Sequence, residues 1–450
     1  MKFNYQKQKR SVVDFPSTGF PLLSFTYRGG MHRFVFHCEN LWYIEVPEEF
    51  QCWIDIEEDE GSAGGHMIQV RVPEHDGIHL REGYFFLNCW DDHIRIPVIQ
   101  YPEFVPIKDP AFLAQLIPQY ERISAQKLSQ EAAFRITKLV LERPSSVRSL
   151  AGIEYMPNLK VLFCQGSFLG EPNSLKHLDV SYNWALTHLE CDNNLLNELD
   201  VSHNCHLTKL VCSNNQLVKL DLSNNLALTH LECGYNQLSE LDVSHNTALT
   251  RLGCCFNQLT QLNVSNNIAL ADISCSYNSL TKLDLKSNEL LRFLSCSNNL
   301  FTELEVGHLS KLLRLECCEN KLKKLDVSQN LNLSTLVCYD NQLTVLDLCK
   351  NKKLTYLECS QNQFTNLNTS HNALLTTLIC YKNEMRRLDL SNNPHIEYLD
   401  CHDNKMEVLV LGNKPKLAYL DCNNNHFNGL DVRQCPALLD YYYENDPVED

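Results

Sequence analysis

Leu207-Thr-Lys-Leu210-Val-Cys212-Ser-Asn-Asn215-Gln-Leu217-Val-Lys-Leu220-Asp221-Leu222-Ser223-Asn-Asn225-Leu-Ala is one unit of a pattern that recurs along most of the chain. Cysteine stands at 191, 212, 233, 254, 275, 296, 317, 338, 359, 380, 401 and 422, always 21 residues apart. Asparagine follows each of these cysteines by three residues, from Asn194 to Asn425. Leucine precedes each by two, with Ile273 as the exception. Self-similarity at one fixed short period is the mark of a solenoid, in which each unit buries its apolar face against its neighbours. A short strand at Leu-x-Cys then pairs in parallel with the same strand of the next coil, about 4.8 Å away. The asparagine sits where the chain turns, and its amide can satisfy backbone groups that the turn would bury. The Leu-Asp-x-Ser-x-Asn half reads as a second short strand or an extended turn, with Asp and Ser bonding locally to the backbone.

The unit resembles the leucine-rich repeat: L-x-x-L-x-C-x-x-N-x-L, followed by an echo, L-D-[VL]-S-x-N. The resemblance covers residues 159–437. Cys164 belongs to an earlier unit, 27 residues before Cys191, and six extra residues fit an insertion around Gly170-Glu171-Pro172-Asn173. In this family the strand side forms a concave binding surface.

Residues 13–105 lack the period. Short runs alternate apolar and polar: Arg33-Phe-Val-Phe-His37, Trp42-Tyr-Ile-Glu-Val46, Met67-Ile-Gln-Val-Arg-Val72, Tyr84-Phe-Phe-Leu-Asn88 and His93-Ile-Arg-Ile-Pro-Val98. Turn residues at 61–65 and His75-Asp-Gly77 separate them, which reads as a β-sandwich. Glu39-Asn40 before Trp42, Cys52-Trp53-Ile54, Arg81-Glu82-Gly83 and Ile96-Pro-Val-Ile-Gln100 resemble the BACON domain, an immunoglobulin-like module of Bacteroidetes surface proteins. That resemblance implies a carbohydrate-binding module or a spacer. Trp42 and Trp53 either stack on a sugar or fill the core, and strand aromatics usually pack inward. Residues 106–158 read as a helical linker and N-terminal cap. Asp109 caps a helix begun by Pro110, Ser129 caps another within 123–136, and no calcium loop is present around Tyr120. Residues 438–450 read as an acidic tail. The fold class is therefore a repeat solenoid of short parallel-β coils behind an Ig-like sandwich and a short helical cap.

The chain has 450 residues, 44% apolar and 21% charged, and a net charge of −16. Such a balance argues against nucleic acid and against an anionic membrane surface. No run is long enough to span a bilayer. The basic N-terminus, Met1 to Arg10, lacks an apolar stretch and does not read as a secretory signal. The resemblance implies a cell-surface or extracellular protein that has lost its leader; the cytoplasm is the alternative. The 21 cysteines lack the close clustering of zinc ligands, so the ladder reads as small buried side chains, with no metal and no cofactor. Cys205, Cys255, Cys318, Cys349 and Cys435 are better placed to react.

On the strand side one column runs His188, Lys209, His230, Arg251, Asp272, Phe293, Arg314, Thr335, Tyr356, Thr377, Tyr398, Tyr419. Its first half is basic and its last coils gather tyrosine. Tyr339, Tyr356, Glu358, Tyr381, Tyr398, Asp400, His402, Tyr419 and Asp421 are the expected partner contacts, since tyrosine gives large contact area with a polar tip. His230, Glu232 and Arg251 are neighbours that mimic a catalytic cluster, but their spacing is that of a solvated charged face, and no enzyme is expected. The reading is a monomeric recognition or adhesion protein for a protein or glycan. A surface spacer, or an effector acting inside a host cell, is the alternative.

Overall fold

The computed structural model describes residues 13–14, 23–75, 80–89, 92–120, 127–141, 147–166, 175–438 and 440–442. The expected insertion at 170–173, most of the 438–450 tail and the stretch after Tyr120 lie outside them. Two compact units are formed: residues 1–137 with 150–157, and residues 138–149 with 158–450.

In the first unit, alternation produces two sheets around one core. Gly30–Cys38 and Gly64–Val72 pair antiparallel, flanked by Val13–Asp14 and Asp55–Ile56. Leu23–Phe25, Asp92–Gln100, Arg81–Cys89, Trp42–Glu45 and Glu60–Gly61 make the second sheet. Every second residue of the long strands enters the shared core, among them Phe34, Phe36, Ile68, Val70, Phe85, Leu87, Ile96 and Val98. Trp42 and Trp53 are 2% and 7% exposed, so neither offers a ring face to a sugar. The Cys38–Cys89 disulfide ties the two sheets together and has no counterpart in the sequence reading. Asp109 Oδ1 accepts from the Ala111 and Phe112 amides at the start of helix Pro110–Tyr120. The second helix is shorter than its pattern, Gln130–Arg135, with Ser129 capping it as expected. The two residues before it pair with Phe104–Val105 as a strand instead.

In the second unit, the 21-residue period becomes fifteen parallel strands in one sheet. Equivalent residues are exact partners: Leu189 faces Leu210, which faces Leu231. Lys138–Val140 opens the sheet and Asp440–Tyr442 closes it, so pairing extends past residues 159–437 on both sides. Each coil gives this sheet only three strand residues. The Cys amide carries pairing one step further, as Cys212 N donates to Glu232 O at 2.8 Å.

Two asparagine ladders finish the backbone accounting. Asn299 Nδ2 donates to Cys275 O, Cys296 O and Ser297 O at 3.1, 3.2 and 3.1 Å, and its Oδ1 accepts from Leu280 N at 2.9 Å. The second ladder is half used. Asn288 Nδ2 reaches Val264 O and Asn267 O of the preceding turns, while its Oδ1 is buried without a partner. The Leu-Asp-x-Ser half is mostly a turn held by Asp, as where Asp221 Oδ1 accepts from Ser223 N at 2.9 Å. Only Arg387–Asp389 and Val408–Val410 pair there as strands.

Every ladder cysteine is buried and free of disulfide bonding. Burial in apolar surroundings pushes the thiols of Cys212, Cys233 and Cys275 up, because the thiolate would lose its hydration. Cys255 and Cys318 are restrained in the same way, the first half-buried and the second buried. Cys435 is buried as well. Of the cysteines singled out for reactivity, Cys205 is exposed and Cys349 half-exposed. A maleimide added to the native protein should therefore modify Cys205 and Cys52 within the mixing period and miss Cys212, Cys233 and Cys275. Peptide mapping checks this, and equal labelling of all five in folded protein would refute the inward register.

Candidate interaction face of the repeat sheet

The face opposite the leucines is built from the first and third residue of each strand and the residues just after the cysteine. Two residues past each ladder cysteine the backbone turns left-handed, with φ between 50° and 59° from Asn193 to Asn424. Asn or Asp holds six of these twelve positions, as suits residues that tolerate that conformation. Three successive coils instead place Tyr235, Phe256 and Tyr277 there. Their rings stack in a row, with centroids 4.1 and 3.9 Å apart and planes within 13°. Tyr235 and Tyr277 are 50% and 43% exposed. A bulky side chain in that conformation costs on the order of 1–2 kcal/mol, so the row is kept against a local backbone preference. The sequence reading missed it, having followed the two strand columns and the one directly after the cysteines but not the next.

Next to the row the face sinks into a depression of about 600 Å³. Phe256 and Tyr277 line it with Tyr339 and Tyr356, over small side chains at Ser276, Ser295, Ser297 and Cys318. Arg314 pairs with Glu316 at its edge. Tyr339 Oη donates to Glu319 at 2.9 Å and Tyr356 Oη to Glu358 at 3.0 Å. Burial, with the neighbouring carboxylate, pushes the Tyr356 hydroxyl up to about 12. Burial also raises Glu358. A groove of similar volume, about 580 Å³, is lined by Asp221, Asp242 and His245 of the Leu-Asp-x-Ser segments. There Asp221 and Asp242 bond the amides of their own turns, which makes it repeated turn geometry.

The structure brings the expected contacts onto one sheet but sorts them into two groups. Tyr339, Tyr356 and Glu358 border the depression. Further along, Tyr398 and Tyr419 are strand partners whose rings stack at 4.3 Å, 4° from parallel. Tyr381 stacks on His402 at 4.5 Å. His402 Nδ1 lies 2.6 Å from Asp400 and 3.9 Å from Asp421. Asp400 is buried and the others are partly buried.

The basic half behaves differently. Lys209 pairs with Glu190 at 2.6 Å and Arg251 with Asp272 at 3.3 Å. His230 Nδ1 lies 2.8 Å from Thr229 Oγ1. Among the described residues no hydrogen bond joins His230, Glu232 and Arg251. The Glu232 carboxylate fills the space over Gly253, where a Cβ would meet it at 1.8 Å and make the carboxylate move aside. No nucleophile, base and orienter converge here.

No protein-family model matches the chain, and no curated protein does. Solved structures do. The functional domain of InlJ from Listeria monocytogenes, described as including a cysteine ladder, is 34% identical; the match has a TM-score of 0.65 and covers 73% of this chain and 77% of that one. A leucine-rich-repeat protein of Leptospira interrogans is 21% identical, with TM-score 0.62 over 70% and 85%. The leucine-rich effector protein YopM from Yersinia pestis is 22% identical, with TM-score 0.53 over 69% and 89%. The last two share the fold. With the Listeria domain the likeness extends to the ladder of buried cysteines that sets the period, and by it the chain belongs to the leucine-rich-repeat family.

Proposed function

We propose that the chain is a non-catalytic recognition or adhesion protein that holds a protein partner on the strand face of its repeats. The observation that carries this is the grouping of tyrosines: Tyr339, Tyr356, Tyr381, Tyr398 and Tyr419 lie on one sheet within five coils, beside Glu358, Asp400, His402 and Asp421. Partly exposed aromatics gathered this way form a desolvatable patch of the kind that anchors interfaces. Ring geometry favours protein over glycan. The faces of Tyr398 and Tyr419, and of Tyr381 and His402, cover one another, whereas stacking on a sugar needs an open face. What remains available is ring edges and hydroxyls. The Cys38–Cys89 disulfide supports the cell surface or the extracellular space, because disulfides persist in oxidising compartments. The two-sheet unit carrying it is read as an Ig-like spacer of the BACON type, its tryptophans being core residues.

Changing Tyr356, Tyr398 and Tyr419 together to Ser should weaken binding of a captured partner by more than about ten-fold, or about 1.4 kcal/mol. Matched changes at Lys209, His230 and Arg251 should do less. Titration calorimetry with the purified partner measures both. Dominance of the basic set would point to an anionic partner. If neither set matters and the first unit alone retains binding, the repeats are a spacer.

A further inference from the structure

The third strand position runs Glu190, Val211, Glu232, Gly253, Ser274, Ser295, Glu316, Val337, Glu358, Ile379, Asp400, Asp421, each residue paired in register with the next. A neutral residue separates every acid from the next until the last pair. Only Asp400 and Asp421 set two carboxylates directly opposite each other, an arrangement that destabilises a sheet unless a cation lies between them. Elsewhere in the column Glu190 has Lys209 and Glu316 has Arg314. Among the ion pairs of the described residues, Asp400 and Asp421 have no Lys or Arg partner; both face the imidazole of His402.

We propose that Asp400, His402 and Asp421 form a site for a divalent first-row metal ion that clips two neighbouring coils together. The donor set is mixed, one imidazole nitrogen and two carboxylate oxygens, which suits ions such as Mn²⁺, Co²⁺ or Zn²⁺. One donor atom from each lies within 4.8 Å of the others. Ligands about 2.1 Å from a metal stand about 3 Å apart, so the donors, now up to 4.8 Å apart, must close in by up to about 2 Å when the ion binds.

A carboxylate also stands beyond the other ring nitrogen, at a distance just longer than a hydrogen bond. A ligating imidazole usually gives its other N–H to a carboxylate, which fixes tautomer and ring orientation. Here Nδ1 faces Asp400 and Asp421, while Nε2 lies 3.6 Å from Asp403 Oδ2. Asp403 is itself held, since Asn424 Nδ2 donates to its Oδ1 at 2.7 Å. Stacking on Tyr381 fixes the ring plane. His402 and Asp421 keep 25% and 19% of their side-chain surface, so the ion has a solvent side with open coordination positions. The site shares Asp400, His402 and Asp421 with the proposed partner patch, but uptake of an ion by the chain alone is measured without a partner, so the two readings fail separately.

The full chain is titrated with Co²⁺ at neutral pH, following visible absorption and the melting temperature of the repeat unit. The wild type should take up one ion per chain, with the weak visible bands of nitrogen and oxygen ligation and a raised Tm. His402→Asn and Asp421→Asn should abolish uptake and the rise in Tm, and Asp403→Asn should weaken uptake about ten-fold, as for an outer-shell partner. Without metal, Asp421→Asn should melt no lower than the wild type, because it removes a like-charge pair, which separates loss of ligation from loss of fold. No uptake by the wild type overturns the site. So does uptake that survives both ligand changes, or a strong near-ultraviolet thiolate band placing the ion on cysteine.

Discussion

Replacing Asn299 by Ala is expected to destabilise the repeat unit by about 2–4 kcal/mol, more than the usual polar-to-alanine change. The side chain is 6% exposed, its two N–H groups are shared among three carbonyls, and its oxygen accepts one bond. Alanine leaves the Leu280 amide buried without a partner, while the three carbonyls each keep a second donor, from Asn278, Asn320 and Tyr277. The penalty is desolvation unrepaid, which exceeds the net worth of the bonds themselves. Asn288 provides the control. It is more deeply buried, yet makes only two bonds and holds an unpaired oxygen that alanine would remove. Its loss should cost about 1–2 kcal/mol. Urea denaturation followed by far-ultraviolet circular dichroism measures both. A larger loss at Asn288 than at Asn299 would mean that burial, and not hydrogen-bond satisfaction, sets the cost.

The second large effect is at Leu210. Its side chain is fully buried and packed in register between Leu189 and Leu231. Leu210→Ala should cost about 2–5 kcal/mol through lost transfer energy and the cavity left behind. Leu226, sixteen residues on, is 58% exposed, and the same change there should stay within about 0.5 kcal/mol. A loss well under 1 kcal/mol at Leu210 would show that the strand register is wrong.

The leucines, cysteines and first asparagines of each coil could be read directly, because a strict period leaves each residue type one job. The long strands of the first unit were legible from alternation, though their ends lie up to three residues beyond the runs read. What escaped the reading has no period or depends on neighbouring coils. Cys38 and Cys89 lie 51 residues apart in a non-repeating region, and only the sheet arrangement brings them together. The row of Tyr235, Phe256 and Tyr277 occupies a turn position whose backbone angle is imposed by stacking, and nothing local in those residues announces it. The depression is made by what is missing, the short side chains of Ser276, Ser295 and Ser297 between larger neighbours. Asp400, His402 and Asp421 were each legible as surface residues. Their convergence needed two facts at once: the register between coils, and the backbone and ring contacts that His402 makes back to Asp400.

The asparagine amides that reach back to the preceding coil have a consequence for how such a chain changes length. Each joint is the same joint, and it asks only that an equivalent carbonyl lie one coil behind. Gain or loss of exactly one coil leaves every joint satisfied, whereas a change of one residue fewer or more breaks two of them. Duplication in whole units is thus a permitted step for the gene, and each step adds about 4.8 Å of sheet. The same indifference is a hazard during folding. A coil docked one unit out of place finds all its backbone bonds, and so does a coil borrowed from another molecule. Only the side chains that differ between coils, such as the aromatic row and the facing acids, tell the correct stack from a slipped one.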